Sequence, residues 1–422
     1  MAAFIIIPSP PMKKPAESFT AYQKFIIAIL SVLQFSVVLD FMVLSPLGAI
    51  LLDELDIQTS QFGLVVSAYA ISAGLSGILA AGFADRFDRK KFLLFFYTGF
   101  IAGTLFCGLA PDYPSLLIAR IITGIFGGVI GSTSLAIITD LFQMQQRGRV
   151  MGFVQMAFAA SQVLGIPVGL FLANKFEWHA PFLMIVIFSI FIAIAISVYM
   201  KPVAKHVAGR FKGNPLDHLL SVVKTPRYVR AFAATTLLAT GGFMLMPFAS
   251  AYLTDNVGLS NDQLPGLYAI TGIFTMVAGP LVGRFSDKTG KYRIFLLGSL
   301  LTIVMVIIYT NLGITPLWLV SAINVLLFIG VTSRMITASA MITGIPDPAD
   351  RGAFMSINSS IQQLAGGVAS GLAGIIVFRS PAGHIENYAY LGWVVTGSLI
   401  ITALLFRRIS RQIIREGSES GL

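Results

Sequence analysis

The chain is 422 residues long, 56% hydrophobic and only 11% charged, with a mean hydropathy of +0.82. Soluble domains carry about 25% charged residues, so the composition excludes a soluble enzyme, and the net charge of +10 must be understood from where the charges fall rather than as a nucleic-acid surface. The single cysteine, Cys107, lies inside an apolar run and leaves no disulfide framework to consider.

Residues 1–23 pair a short apolar piece, Ala2–Ile7, with a Pro-Ser-Pro-Pro stretch, which reads as a disordered cytoplasmic leader. Twelve runs then approach the roughly 20 apolar residues that a spanning helix needs. They are Lys24–Ile50, Gln61–Ala84, Phe92–Ala110, Ser115–Leu141, Val150–Ala173, Pro181–Met200, Tyr228–Leu253, Leu264–Phe285, Ile294–Asn311, Pro316–Ile342, Ala353–Phe378 and Tyr388–Phe406. Pro46, Pro167, Pro247 and Pro280 interrupt some of them, where neighbouring helices can satisfy the freed carbonyls. The longest connection, 201–227, separates a first six-run bundle, 24–200, from a second, 228–406. Within it Asn214-Pro215 opens a short amphipathic helix with Leu216, Leu219, Leu220 and Val223 on one face, expected to strap onto the membrane surface. A basic tail, 407–422, is expected to rest against anionic lipid.

Twelve crossings put both termini on one side. The leader, the even-numbered connections and the tail hold 25 of the 29 Lys and Arg residues; the odd-numbered connections hold only Lys175 and Arg379, and Arg120 and Arg334 lie within runs. Both termini are therefore expected in the cytoplasm. Two landmarks recur at nearly one offset. The charged hairpin Ala81–Lys91 returns as Gly283–Arg293, with Asp287 standing 202 residues after Asp85, and Arg147-Gly148 returns as Arg351-Gly352 after 204. A parallel repeat of six helices is a transporter architecture.

With these residues in place the chain resembles the major facilitator superfamily along nearly its whole length. The family's hairpin motif, G-x-L-a-D-r-x-G-r-k, is matched by Gly283, Asp287, Lys288, Gly290 and Lys291. The first copy keeps Phe83, Asp85, Arg86, Arg89 and Lys90 but has Ala81 and Asp88 in place of glycines, with Asp88 expected to take the left-handed turn that Asp tolerates. The stretch from Arg120 through Gly124, Gly127 and Gly128 is similar to the family's fourth helix, and Gly165-Ile166-Pro167-Val168-Gly169 to the hinge element of its antiporters, with the proline displaced by one residue and Leu170 replacing the last glycine. The resemblance implies an all-α membrane protein of twelve helices in two pseudo-symmetric six-helix bundles. It also implies secondary transport without a cofactor, of the kind found in the proton-coupled drug and sugar efflux group. An importer, a facilitator or a lipid flippase of the same fold is the alternative. Asp85, Arg86, Arg89, Asp140, Asp287 and Lys288 become a cytoplasmic conformational latch, stronger in the first copy because Gly344 stands where the repeat would put Asp140's counterpart. Gly165, Pro167 and Gly169 become a hinge.

The residues themselves point to the coupling chemistry. Asp40 is the single acid deep within a run, and intramembrane ions mark function when they line a cavity or pair. It lies roughly 15 Å from its helix end and Arg120 roughly 9 Å from the same face, a gap that the long arginine side chain covers. An acid that alternates between an arginine and a dry pocket changes its proton affinity, so the pair is the expected proton-coupling site, with a static packing pair as the competing reading. Gln34, Tyr69, Gln155, Gln162, Met244, Asn324, Arg334, Asn358 and Gln362 are expected to line a substrate cavity whose Met and Phe content suits amphipathic ligands. Glycine pairs at four-residue spacing, including Gly124/Gly128, Gly127/Gly131, Gly279/Gly283 and Gly367/Gly371, allow close helix approach. The expected partners are a small-molecule substrate, protons and membrane lipids, with no nucleic acid, for a monomer in a bacterial inner membrane.

Overall fold

The computed structural model describes residues 19–81, 84–204, 215–347 and 350–419. Its first half consists of α1 (Ala21–Val43), α2 (Gly48–Glu54), α3 (Thr59–Ala81), α4 (Arg89–Cys107), α5 (Tyr113–Leu141), α6 (Met144–Ala160), α7 (Ile166–Lys175) and α8 (Ala180–Tyr199). After α9 (Pro215–Lys224) the second half runs through α10 (Pro226–Phe243), α11 (Met246–Asp255), α12 (Leu264–Thr289), α13 (Lys291–Tyr309), α14 (Leu317–Ile342), α15 (Arg351–Ile376) and α16 (Tyr388–Glu419). The two-residue strands β1 (Phe378–Arg379) and β2 (Ile385–Glu386) pair antiparallel in the connection before α16.

Three expected runs are bent rather than continuous, and proline explains each bend. The first breaks into α1 and α2 over residues 44–47 at Pro46. The fifth passes through a π turn, Ser161–Gly165, just before Pro167, and the seventh breaks at Met244–Leu245 before Pro247. Proline leaves the carbonyl four residues earlier without its donor; for Pro247 this is Phe243, whose oxygen accepts a 3.1 Å bond from Ser370 Oγ of α15. Pro280 sits within α12 without ending it.

Among the described residues ten helical stretches are long and apolar enough to span a membrane. Of the two remaining runs, the fifth is divided by the π turn into α6, of 17 residues, and α7, of 10, which pack against α1 and α12, and α15 is more polar, much of its surface meeting α3 and α10. Loops alternate between two ends of the bundle, here called the odd face and the even face after the connections they carry.

The halves meet along an antiparallel seam between α3 and α15 in which glycines remove the side chains that would hold the helices apart. A Cβ on Gly374 would lie 2.8 Å from Thr59 O, and one on Gly74 2.6 Å from Leu364 Cγ. Within the first half, Gly124 and Gly128 of α5 leave room for α3 in the same way, whereas Gly131 and Gly283 have open space beside them, so half of two expected glycine pairs makes no close contact.

Three local expectations change. Asp88 has φ −58° and caps α4 by accepting from Lys91 N at 3.0 Å, so a 3-10 turn, Ala84–Arg86, rather than a left-handed residue makes the first hairpin; Gly290, at φ +99°, does take the left-handed region in the second. On α9 it is Leu219 and Val222 that pack onto the bundle, while Leu220 and Val223 face outward, because the helix turns its 219/222 edge toward Phe354 and its neighbours. The tail continues α16, and Ile409 is buried beside Phe406, so packing extends past residue 406.

Candidate functional site

Asp40 of α1 and Arg120 of α5 are both fully buried, and Arg120 Nη1 lies 2.8 Å from Asp40 Oδ2. Thr104 Oγ1 of α4 donates to Asp40 Oδ1 at 3.1 Å, and Nη1 also reaches the Asp40 carbonyl at 3.4 Å. The carboxylate thus has a partner on each oxygen. The guanidinium does not match it: Nε and Nη2 are buried without a hydrogen-bond partner, and its flat face stacks on the Tyr69 ring at 4.5 Å. One turn below, Ser36 and Tyr97 share a 2.9 Å hydroxyl bond, so a polar seam crosses the middle of the first bundle.

Aromatic side chains connect this pair to the other half. Phe41 packs on Tyr69 at 5.2 Å and on Phe243 of α10 at 5.6 Å. Toward the odd face the seam is closed. Ser250 Oγ donates to Ser45 O and accepts from Ala49 N, Thr59 Oγ1 donates to Val377 O, and Asn174 Nδ2 donates to Asn261 O at 2.8 Å. Arg379 of the β hairpin is hydrogen-bonded to Asp53 of the first half, and its Nε lies 3.0 Å from Asp255 of the second. The bond to Asp53, with Asp255 beside it, holds the Arg379 proton more tightly than an ordinary guanidinium does. Toward the even face α6 and α12 draw apart, their contacts being concentrated on the π turn, α7 and the first half of α12.

The remaining expected cavity residues divide into groups. Gln34, Gln162 and Gln362 are half-buried, with Gln162 Nε2 3.9 Å from Met42 Sδ. Asn324 donates to Thr271 Oγ1 at 2.9 Å and Asn358 accepts from Thr235 Oγ1 at 2.7 Å, so both amides tie helices within the second half. Met244 is buried in the core at the α10–α11 break. Arg334 turns its guanidinium over Phe295 of α13, 5.8 Å from the ring centroid, and therefore into the second bundle rather than toward the seam. The side chains of Gln155 and Asp85 lie outside the described residues.

At the even face Arg89 Nε is 3.1 Å from Asp140 Oδ2 and its Nη1 donates to Ala84 O at 3.2 Å. Arg86, Asp287 and Lys288 are exposed. The second half carries a different cluster there: Tyr228 OH donates to Asp350 at 2.8 Å and Arg227 pairs with Asp347 at 2.9 Å. Sequence reasoning missed that cluster, and it missed Thr104 and the Asp53–Arg379–Asp255 bridge. Arg379 did carry a signal, as one of two cations on a face that otherwise avoids positive charge.

The family model described as Major Facilitator Superfamily matches residues 30–242 and again 231–420. The chain is 30% identical over 372 residues, 87% of its length and 90% of the relative's, to the Bacillus subtilis (strain 168) protein named "Uncharacterized MFS-type transporter YceJ". It is 24% identical over 372 residues, 85% of its length and 88% of the relative's, to a Mannheimia succiniciproducens protein named "Probable sugar efflux transporter". A crystal structure of a D-xylose-proton symporter superposes with TM-score 0.76 at 18% identity over 91% of this chain and 97% of that one. A bacterial homologue of the lysosomal transporter Spinster, inward-facing and unoccupied, superposes with TM-score 0.74 at 18% identity over 94% and 99%. The chain belongs to the Major Facilitator Superfamily of integral membrane transporters.

Proposed function

We propose that this transporter is a proton-coupled antiporter that exports small amphipathic molecules, drug-like or sugar-like, by alternating access. The observation that carries the reading is the fully buried Asp40–Arg120 pair, in which the arginine has two nitrogens to spare. Asp40 can give up its half of the pair to a proton, since Thr104 still holds the carboxyl in place and the Tyr69 ring still shelters the guanidinium. The excess of cations in the even connections supports the reading that this face, and both termini, are cytoplasmic, with the protein in a bacterial inner membrane. The seam closed by Arg379 is then the outer gate, and the separation of α6 from α12 opens a path to the inside. Arg89–Asp140 is the surviving part of the inner latch, and the bend through Gly165, Pro167 and Gly169 is the place where the fifth crossing flexes.

Reconstituted vesicles test this. With a pH gradient and a panel of drug-like and sugar ligands, the native protein is expected to move substrate against its gradient and release protons on binding, while Asp40→Asn exchanges substrate only downhill. Gradient-driven transport by Asp40→Asn at the native rate overturns the proton-coupling role.

A further inference from the structure

Three charged residues lie deep within the twelve runs, Asp40, Arg120 and Arg334, and each is withdrawn from the space between the halves. Asp40 and Arg120 are bonded to each other at zero exposure. Tyr69, itself 1% exposed, covers Arg120 and in turn packs under Phe41. Arg334 is 3% exposed and lies over Phe295 inside the second bundle.

The side chains that do face that space are uncharged. Phe41 of α1 and Phe243 of α10 meet across the seam, and on their even side a set of residues stays half-buried in mid-crossing. Gln34 is two turns before Phe41 on the same face of α1, roughly 20 Å along the helix from its even end at Ala21. Gln362 is one turn before Gly366 of α15, where a Cβ would lie 2.8 Å from Phe243 Cδ2. Thr236 and Thr240 form the half-buried stripe that leads along α10 to Phe243. Gln162 reaches Met42 from the π turn, and the same turn meets α12 at Gly272. Side chains that keep accessible surface at this depth, on the seam side of their helices, border a recess. It opens toward the even face, where α6 and α12 draw apart.

We infer that this recess holds the transported molecule and that the molecule is uncharged when carried, its hydroxyl or amide groups bonded by Gln34, Gln162 and Gln362 beneath the Phe41–Phe243 pair. An amide side chain both donates and accepts, which suits such groups. An ion in the same place gives up its hydration and meets no opposite charge, a cost that neutral molecules escape. A further consequence rests on the antiport reading. A neutral molecule exchanged for one proton moves one positive charge toward the even face in each cycle, so the membrane potential drives export alongside the pH difference. A cation exchanged for a proton moves none.

The recess is tested without a substrate. Gln34→Cys and Gln362→Cys chains in neutral detergent are treated with neutral benzyl methanethiosulfonate and with the cationic trimethylammonium and anionic sulfonate reagents of similar size. Each rate is divided by that of 2-mercaptoethanol in the same detergent, and the native chain, whose Cys107 is buried, gives the background. The neutral reagent is expected to be favoured over both ions by at least about tenfold at both positions. An ion that reacts as fast as the neutral reagent at either position overturns the inference. The charge movement is tested in vesicles at equal pH on both sides. There a potassium gradient of about tenfold, clamped with valinomycin to make the inside negative, is expected to expel a transported neutral ligand of the panel to about a tenfold ratio. A panel in which only charged ligands move, or export that answers to pH and not to potential, overturns the inference. Indifference to both gradients overturns the proton coupling alone, and the labelling rates still decide the charge that the recess accepts.

Discussion

Asp40→Asn removes one charge from the buried pair and leaves an amide of the same size, still within reach of Thr104 and Arg120. With nitrogen and oxygen 2.8 Å apart the charge centres are about 4 Å apart, and at an effective dielectric of about 20 their attraction is about 4 kcal/mol. Breaking a buried pair from one side costs about 3–5 kcal/mol, because the surviving charge keeps its desolvation cost. Asp40→Asn is therefore expected to lose about 4 kcal/mol of stability, and Arg120→Gln a similar amount. The double variant leaves no orphaned charge and is expected to recover most of the loss. Unfolding of the four proteins in detergent, analysed as a double-mutant cycle, gives the coupling directly. A coupling below about 1 kcal/mol, the level of an exposed surface pair, would refute the reasoning and return the pair to incidental packing.

Other expectations concern the gates and the seam. Asp53→Asn and Arg379→Gln should each cost about 1 kcal/mol of gate closure, about a fivefold shift, read as faster labelling of Ser250→Cys by an impermeant thiol reagent; Asp255→Asn, a change within the same half as Arg379, should shift it less. If Asp255→Asn and Arg379→Gln act alike while Asp53→Asn is silent, the arginine only folds its own hairpin. Gly128→Val sets a side chain where a Cβ already lies 2.2 Å from Ala73 O and is expected to cost at least about 3 kcal/mol, seen as loss of monodisperse protein on size exclusion. Ser370→Ala strands the Phe243 carbonyl and should cost about 1–3 kcal/mol by thermal unfolding. Arg89→Gln, by weakening the even-face latch, should shift the gate equilibrium toward an open even face and a closed odd face, measured as slower thiol labelling at the same position, and unchanged labelling would reduce the hairpin to a topology signal.

The helices were legible because lipid forces each crossing to declare itself as an apolar run, and three of the four internal prolines mark real bends. Asp40 and Arg120 could be paired from sequence because no second deep acid competed and simple helix rise put them at similar depths. Thr104 could not be found that way, since a threonine in a spanning helix usually bonds its own backbone, as Thr123 and Thr133 do here. Arg379 and Asp53 are 326 residues apart, and nothing local announces a contact that exists only because two halves close. The misplacement of Arg334 has a similar origin: periodicity gives depth, but not which of two neighbouring helices a long side chain will lean on.

The proline breaks at Pro46 and Pro247 meet each other at the seam, where a Cβ on Gly48 would come within 2.8 Å of Pro247 O and Ser250 bonds both Ser45 and Ala49. Each half thus brings to the contact a stretch of backbone broken at a proline, and one hydroxyl of the second half, Ser250, serves two backbone groups of the first, Ser45 O and Ala49 N. A hydroxyl can trade one acceptor for another by rotating, so this spot behaves as a bearing: the halves can roll over it without stranding a buried carbonyl. Resistance to opening then resides in the ion bridge above and the glycine-lined seam beside it. Substitutions at Ser250 should alter how fast the transporter turns over more than which way it faces at rest.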